Sequence, residues 1–280
     1  MIYCSEQYAQ LHHFENYICL NGDHGQFCFT ILEGEAISLP RSPVGGIQFT
    51  GYKENDFIAD WASVERRLAD HGAQEVLVTI APNFYDFSIP KDWLVNFGYR
   101  IQTEEISHFI PLFGTLESKI HPMENRILQK NRSLSLANEG SDTLEEVHEF
   151  ISKCRKSKEL TINIDQNTLR QSFKTFPDQY QFFTARLDGE LISAVIMVEV
   201  NDKVAYYFLP ATDHEFKQMS PMVHLIRYIY TYYQNKGFKL IDLGISSENG
   251  QPQSSLITFK ERMGGIKSSR YTFWKELITS

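Results

Sequence analysis

Lys260 and Asp242 are the side chains whose type and setting in the sequence best suit chemistry. Lys260 falls in a short helical piece, Phe259 to Met263. There its amine either contacts a phosphate, a carboxylate or a developing oxyanion, or faces water as helix lysines ordinarily do. Asp242 ends a strand beside Gly244, a location suited to a general base or an amine anchor, or to capping the loop that follows. Tyr206 and Tyr207 alternate across one strand, so one can enter a cleft as a proton donor while the other packs in the core. Ser246 and Ser247 sit in a loop rich in turn formers, where such residues mostly serve the backbone. The nine histidines occupy no triad or metal-ligand spacing, so hydrolase and metalloenzyme chemistry find no support and no metal is expected. Cys4, Cys19, Cys28 and Cys154 are scattered without paired spacing, which argues against a disulfide framework or a zinc site. Cys28, inside a strand pattern, reads as a small buried hydrophobe.

The elements that must hold these residues recur. Leu32-Glu33-Gly34-Glu35-Ala36-Ile37-Ser38 nearly repeats as Leu187-Asp188-Gly189-Glu190-Leu191-Ile192-Ser193, and each acidic-Gly pair between strand-like runs predicts a tight hairpin. A helix, a glycine stop and a strand follow each copy: Phe57 to His71, Gly72 and Val76 to Ile80, then Met222 to Lys236, Gly237 and Leu240 to Leu243. A short helix ending in glycine comes next in both, Trp93 to Phe97 with Gly98 and Phe259 to Met263 with Gly264. The pattern predicts one mixed α/β unit used twice. The boundary falls near Phe113 to Pro122, dividing the chain into 1–117 and 118–280.

Acidic side chains outnumber basic ones 35 to 27, a net charge of −8, which disfavours a broad nucleic-acid surface and hence tRNA. The densest basic segment is Arg126, Lys130 and Arg132, whose first two members share a helical face and meet either phosphate or water. No apolar run is long enough to span a bilayer, and Met1-Ile2-Tyr3-Cys4-Ser5-Glu6 lacks signal-peptide order, so the chain is expected in the cytoplasm.

In the second half, a helix from about Pro122 to Lys130 precedes an alternating strand, Ser133 to Ala137. A helix from Thr143 to Lys156 carries a potential capping box in Thr143 and Glu146. The strand Lys203 to Leu209 is apolar on both faces and is expected to be central. The next helix is sharply delimited: Ser220 as N-cap, Pro221 at the first position, Gly237 after the last turn, and a stripe of Val223, Ile226, Tyr230 and Tyr233. A strand leading through Pro210 to Met219 into that helix start creates free N–H groups and a positive dipole end, the device by which such folds hold phosphate.

Phe182 to Gly265 resembles the GNAT acyltransferase superfamily, and within it the FemAB-like branch of tandem GNAT domains. The resemblance rests on the Asp-Gly hairpin, the tyrosine-rich strand and Ser220-Pro221 before the helix. It rests also on Gly237-Phe238-Lys239-Leu240-Ile241-Asp242-Leu243-Gly244 and Phe259-Lys260-Glu261-Arg262-Met263-Gly264-Gly265. Arg126 to Arg132 resembles the basic helix opening the second domain, and Ser42-Pro43-Val44-Gly45-Gly46 a glycine turn of the first. The resemblance implies two tandem GNAT-like domains, each a mixed β-sheet flanked by helices. It implies transfer of an acyl or aminoacyl group, from acyl-CoA such as acetyl-CoA or from aminoacyl-tRNA, to an amine of a small molecule, a peptide, a sugar or a cell-envelope precursor. Lys260, Asp242 and Tyr207 are then the catalytic candidates. Leu209, on the strand whose amide polarises the carbonyl, and Lys217, Gln218, Met219, Ser220 and Met222, on the loop for the donor phosphates, are the donor-binding candidates. The loop Gln218-Met219-Ser220-Pro221-Met222-Val223 departs from the GNAT pattern in having no glycine, which restricts close approach of a pyrophosphate. That departure motivates the alternative of a non-catalytic GNAT-fold binding or regulatory protein.

Overall fold

The computed structural model describes residues 1–51, 53–130, 133–159 and 164–277; Arg132 of the basic segment lies outside them. In chain order the elements begin with α1 (Glu6–Leu11), β1 (Tyr17–Asn21), β2 (Gly25–Leu32), β3 (Glu35–Ser38), β4 (Ile47–Phe49) and α2 (Glu54–Asp70). Next come β5 (Glu75–Thr79), α3 (Lys91–Asn96), β6 (Arg100–Pro111), α4 (Pro122–Gln129), β7 (Leu134–Glu139), α5 (Leu144–Lys156) and α6 (Gln166–Thr175). They close with β8 (Tyr180–Leu187), β9 (Glu190–Glu199), β10 (Val204–Thr212), α7 (Pro221–Asn235), β11 (Leu240–Ile245), β12 (Ser247–Glu248), β13 (Gln251–Pro252), α8 (Ser254–Arg262) and β14 (Ile266–Glu276). The chain forms two compact units. Unit 1 comprises Met1–Ser107, Ile245–Gln253 and Ser268–Ser280; unit 2 comprises His108–Gly244 and Ser254–Lys267.

Unit 1 is a mixed sheet in the order β1-β2-β3-β5-β14, with β4 on β2. Phe57, Trp61, Val64 and Leu68 repeat at helical spacing along α2 and pack on Phe27 and Phe29 of β2. Asp60, on the same helix, is buried because its carboxylate accepts the N–H groups of Asp23 and His24, at 3.1 and 2.8 Å. Elsewhere in this unit the buried Glu105 accepts from the Ser247 hydroxyl and, at 3.1 Å, from Gly250 N–H, while Ser247 Oγ accepts from Ile106 N–H at 2.7 Å. Ser247 therefore serves the backbone, as expected of its loop. Ser247→Ala leaves a buried carboxylate short of a donor and Ile106 N–H without its acceptor. We expect it to cost about 1–3 kcal/mol in a urea titration.

Unit 2 is a mixed sheet in the order β7-β8-β9-β10-β11, antiparallel except for the parallel β10–β11 pair. β10 is central, as its sequence predicts, although burial alternates along it and only one face is fully covered. Val223, Ile226, Tyr230 and Tyr233 of α7 all enter the core, joined by Leu225 and Ile229, and meet Phe183, Val195 and Ala205 of the sheet.

Two local expectations are corrected. The capping box at Thr143 does not form: Thr143 Oγ1 donates to Gly140 O, and Glu146 instead takes a bidentate ion pair from Arg186, at 2.8 and 2.6 Å. A charge-assisted pair outweighs a neutral cap. Ser220 stands at the N-cap of α7, but its side chain makes no capping bond; the residue is left-handed, with φ of 51°.

The repeat is real in topology but shifted from the one the glycine turns suggest. Both turns form, with positive φ at Glu33 and Gly34 and at Asp188 and Gly189. Yet the first joins β2 to β3, and β3 runs parallel to β5. The second joins β8 to β9, and it is the following strand, β10, that runs parallel to β11. Matching the parallel crossovers equates β3 with β10, α2 with α7 and β5 with β11. The counterpart of the Glu33-Gly34 turn is then the β9–β10 connection, where Asn201 Oδ1 accepts from Lys203 and Val204 N–H. A tight turn reports only local backbone demand, whereas a crossover is set by the whole sheet.

Candidate active site

The site is built where β10 and β11 part. These parallel strands pair through Val204–Leu240, Ala205–Ile241 and Tyr206–Asp242. Beyond that, β10 continues to Thr212 on β9 alone, with a register shift between Tyr207 and Leu209 that leaves Phe208 as the extra residue. A bulge bends its strand and raises local twist, so the ladder opens at its C-terminal end, the end at which open α/β sheets bind ligands.

Four residues of unit 2 surround that point. Asp242, only 1 % exposed, accepts from Gly244 N–H at 2.7 Å. Gly244 is left-handed, with φ of 71°, and lies against the Tyr206 ring, 3.2 Å from where a Cβ would sit. Lys260 is 4 % exposed and donates from Nζ to Gly244 O at 2.9 Å. Its inward position follows from the end of α8: Met263 is fully buried, Gly264 takes φ of 83°, and Gly265 passes so close that a Cβ would lie 2.6 Å from Lys260 O. The Phe-Lys…Gly-Gly segment is thus a helix stop that keeps Lys260 inside.

Burial disfavours the ammonium and pulls the Lys260 pKa down to about 8, while the Asp242 carboxylate opposes the fall. His108, fully buried on β6, has Nε2 4.0 Å from Glu261 Oε1. Its pKa is lowered first by burial and then by Lys260. A buried cation that titrates near neutrality, beside a carboxylate, can donate to a developing oxyanion or exchange a proton. Sequence reasoning did not mark His108, because a lone strand histidine carries no signal until β6 and α8 are assembled.

The other sequence candidates fall elsewhere in the same unit. Tyr207 points away from Tyr206 into the core, its hydroxyl donating to Met222 Sδ at 2.8 Å, with burial raising its pKa. Leu209 is buried on β10 just past the bulge. Lys217, Gln218 and Met219 belong to the 3-10 turn His214–Met219 before α7, Lys217 and Gln218 being exposed. Ser220 makes the left-handed turn into α7, the conformation glycine would adopt most cheaply. Met222 is buried in the first turn of α7. The structure therefore brings Lys260 and Asp242 together with Tyr206, and Tyr207 together with Met222. Arg126 and Lys130 are exposed. Among the described residues no group of three or more His, Cys, Asp or Glu side chains is arranged to hold a metal ion, and no helix is long and apolar enough to cross a membrane.

Residues 125–254 match the family model described as Acetyltransferase (GNAT) domain. No curated protein matches the sequence. Among solved structures, FemX superposes with a TM-score of 0.72 at 12 % identity, over 97 % of this chain and 91 % of that one. The C-terminal domain of a lysylphosphatidylglycerol synthetase from Agrobacterium fabrum gives 0.62 at 13 % identity, over 95 % and 86 %. A tandem GNAT protein from the clavulanic acid biosynthesis pathway gives 0.51 at 12 % identity, over 95 % and 85 %. Residues 125–254 thus match a GNAT acetyltransferase domain, and the chain shares its fold with FemX and with a tandem GNAT protein.

Proposed function

We propose that the protein transfers an acyl or aminoacyl group from an activated ester of the acyl-CoA type to an amine, and that the chemistry runs around Lys260 in the second of its two GNAT-like domains. The observation that carries this reading is that buried Lys260 and Asp242 both bond to Gly244 at the point where β10 and β11 separate. In the reaction, Lys260 donates to the oxygen that gains charge as the amine attacks the carbonyl, and Asp242 holds the attacking ammonium or takes its proton. The donor's phosphates lie at the start of α7, on the turn formed by Met219, Ser220 and Met222, with Lys217 and Gln218 reaching them from the exposed side and Leu209 walling the strand. Left-handed Ser220 supports this placement, since it supplies without glycine the turn into α7. The acceptor is an amine on a small molecule, a peptide, a sugar or a cell-envelope precursor. An aminoacyl donor is the second reading, favoured by the side chains that replace glycine in the loop; the acidic balance weighs against tRNA as its carrier.

Thermal unfolding against coenzyme A, acetyl-CoA and longer acyl-CoA thioesters tests this. A ligand at about a hundred times its dissociation constant stabilises the fold by about 2.7 kcal/mol. We expect a shift with at least one thioester, lost when Lys217 and Gln218 are both replaced by Glu. Absence of any shift excludes the CoA donor and turns the assay to aminoacyl esters.

A further inference from the structure

Three cysteines that look unrelated in sequence meet in unit 1. Cys19 of β1 stands directly opposite Cys28 of β2. Bonded and non-bonded pairs alternate along an antiparallel ladder, and both ends of this ladder are marked: Gly22 N–H donates to Gly25 O, and Ile31 N–H to Asn16 O. Counting inward from either end, Leu20–Phe27 and Ile18–Phe29 are hydrogen-bonded pairs and Cys19–Cys28 between them is not. Cys28 bears this out, since its N–H donates to Gly46 O and its carbonyl accepts from Leu39 N–H, both away from β1. Residues at such a pair lie about 4.5 Å apart at Cα with side chains on one face, inside the roughly 4.4–6.8 Å over which a disulfide closes.

The two thiols are in hydrogen-bond contact, and Cys4 is near enough to act electrostatically on Cys28 and to feel Cys19. Cys28 is fully buried while Cys19 is partly open to solvent. The hydrogen bond from Cys28 lowers the Cys19 pKa against the opposing effects of burial and Glu6. One partner is thus accessible and inclined to ionise, and the other waits beneath it, the arrangement that sulfenic acid chemistry followed by resolution requires. The neighbouring Phe27 and Phe29 point to the opposite face, against Trp61, so a bond between the sulfurs leaves that core undisturbed.

We propose that Cys19 and Cys28 are a reversible redox pair, with Cys19 attacking a hydroperoxide and Cys28 resolving the product into a cross-strand disulfide. In the first step the Cys19 thiolate attacks one oxygen of hydrogen peroxide. The O–O bond breaks, a sulfenic acid forms, and the other oxygen leaves as hydroxide, which the proton released by Cys19 converts to water. Cys28 then attacks the Cys19 sulfur; the S–S bond forms, the S–O bond breaks and a second water leaves with the Cys28 proton. Two thiols and one peroxide give one disulfide and two waters, the sulfurs losing the two electrons that the peroxide gains.

The test treats the full-length protein with stoichiometric hydrogen peroxide and follows intact mass, free thiols and a non-reducing peptide map. Cleavage after Glu6, Glu15 and Glu33 and before Asp23 puts Cys4, Cys19 and Cys28 on separate peptides. The expected result is a monomer lighter by two hydrogens, with two thiols lost from the four, the Cys19 and Cys28 peptides joined, and full reversal by dithiothreitol. Cys4→Ser and Cys154→Ser should keep the cross-link and Cys19→Ser abolish it; the readout on the unaltered protein stands even if Cys28→Ser fails to fold. A mass gain of oxygen without a cross-link, a bridge through Cys4, or a disulfide between two chains each overturns the proposal.

Discussion

Lys260→Met should slow transfer by about a hundred- to a thousand-fold while leaving the protein folded. If Lys260 donates to the developing oxyanion, its removal costs about a hundred- to a thousand-fold in kcat, the range seen when one such donor is lost. Stability should hold at neutral pH, because the substitution removes a cation that burial penalises. The pH dependence separates this effect from general damage. Folding lowers the Lys260 pKa from 10.5 to about 8, so between these values the unfolded chain binds more protons than the folded one. Stability contributed by this group therefore rises with pH from about 8 to about 10.5; below about 8 both states carry the proton and the full penalty persists. Chemical denaturation across that window should show the rise in the unaltered protein and lose it in Lys260→Met. Turnover should fall as pH passes about 8, where the donor deprotonates. Unchanged turnover in Lys260→Met would remove Lys260 from the mechanism and with it the proposed centre.

Gly45→Ala should be among the most damaging single changes to unit 1. An added Cβ would stand 1.9 Å from the backbone oxygen of Thr79, and the residue already holds φ of 64°. Both faults act through backbone, so no side-chain rotation relieves them. Thr79 is fixed in β5, its N–H donating to Ser38 Oγ at 2.8 Å, and relief must come from separating the 42–46 turn from the sheet. We expect about 3–5 kcal/mol of destabilisation or recovery only as insoluble protein. Gly72→Ala is the control: it shares the positive φ, at 88°, but meets nothing within 4 Å, and should cost about 1 kcal/mol. Equal losses for the two would show that strain in φ, rather than the close approach, sets the requirement at Gly45.

How much was legible in the sequence varied with the range of the interaction. α2, α7, β5 and β11 form within a few residues of where periodicity and glycine stops put them, because apolar spacing and caps act over one or two turns of chain. The Thr143 capping box read equally well and failed, since nothing near Glu146 in sequence reveals that Arg186 lies across from it. The glycine-turn repeat gave the right number of units from the wrong correspondence, because both turns obey the same local rule at different places in the topology.

The candidate site divides along the same line. Lys260 was marked through the resemblance of Phe259 to Gly265 to a family segment, and Asp242 through its place at a strand end beside Gly244. That Lys260 is buried with its amine on Gly244 O, that Tyr206 rather than Tyr207 faces Gly244, and that His108 stands within reach of Glu261 depended on packing β6, β10, β11 and α8 together. Cys19 and Cys28 make the same point in unit 1: their sequence spacing carries no pairing signal, and only the β1–β2 register sets them opposite each other. Sequence alone determined the element types, the acidic surface charge and the doubled α/β plan, because propensity, charge and periodicity are properties of contiguous residues. Tertiary structure decided which side chains share a site and what their protons do, because burial and distance are set by residues remote along the chain.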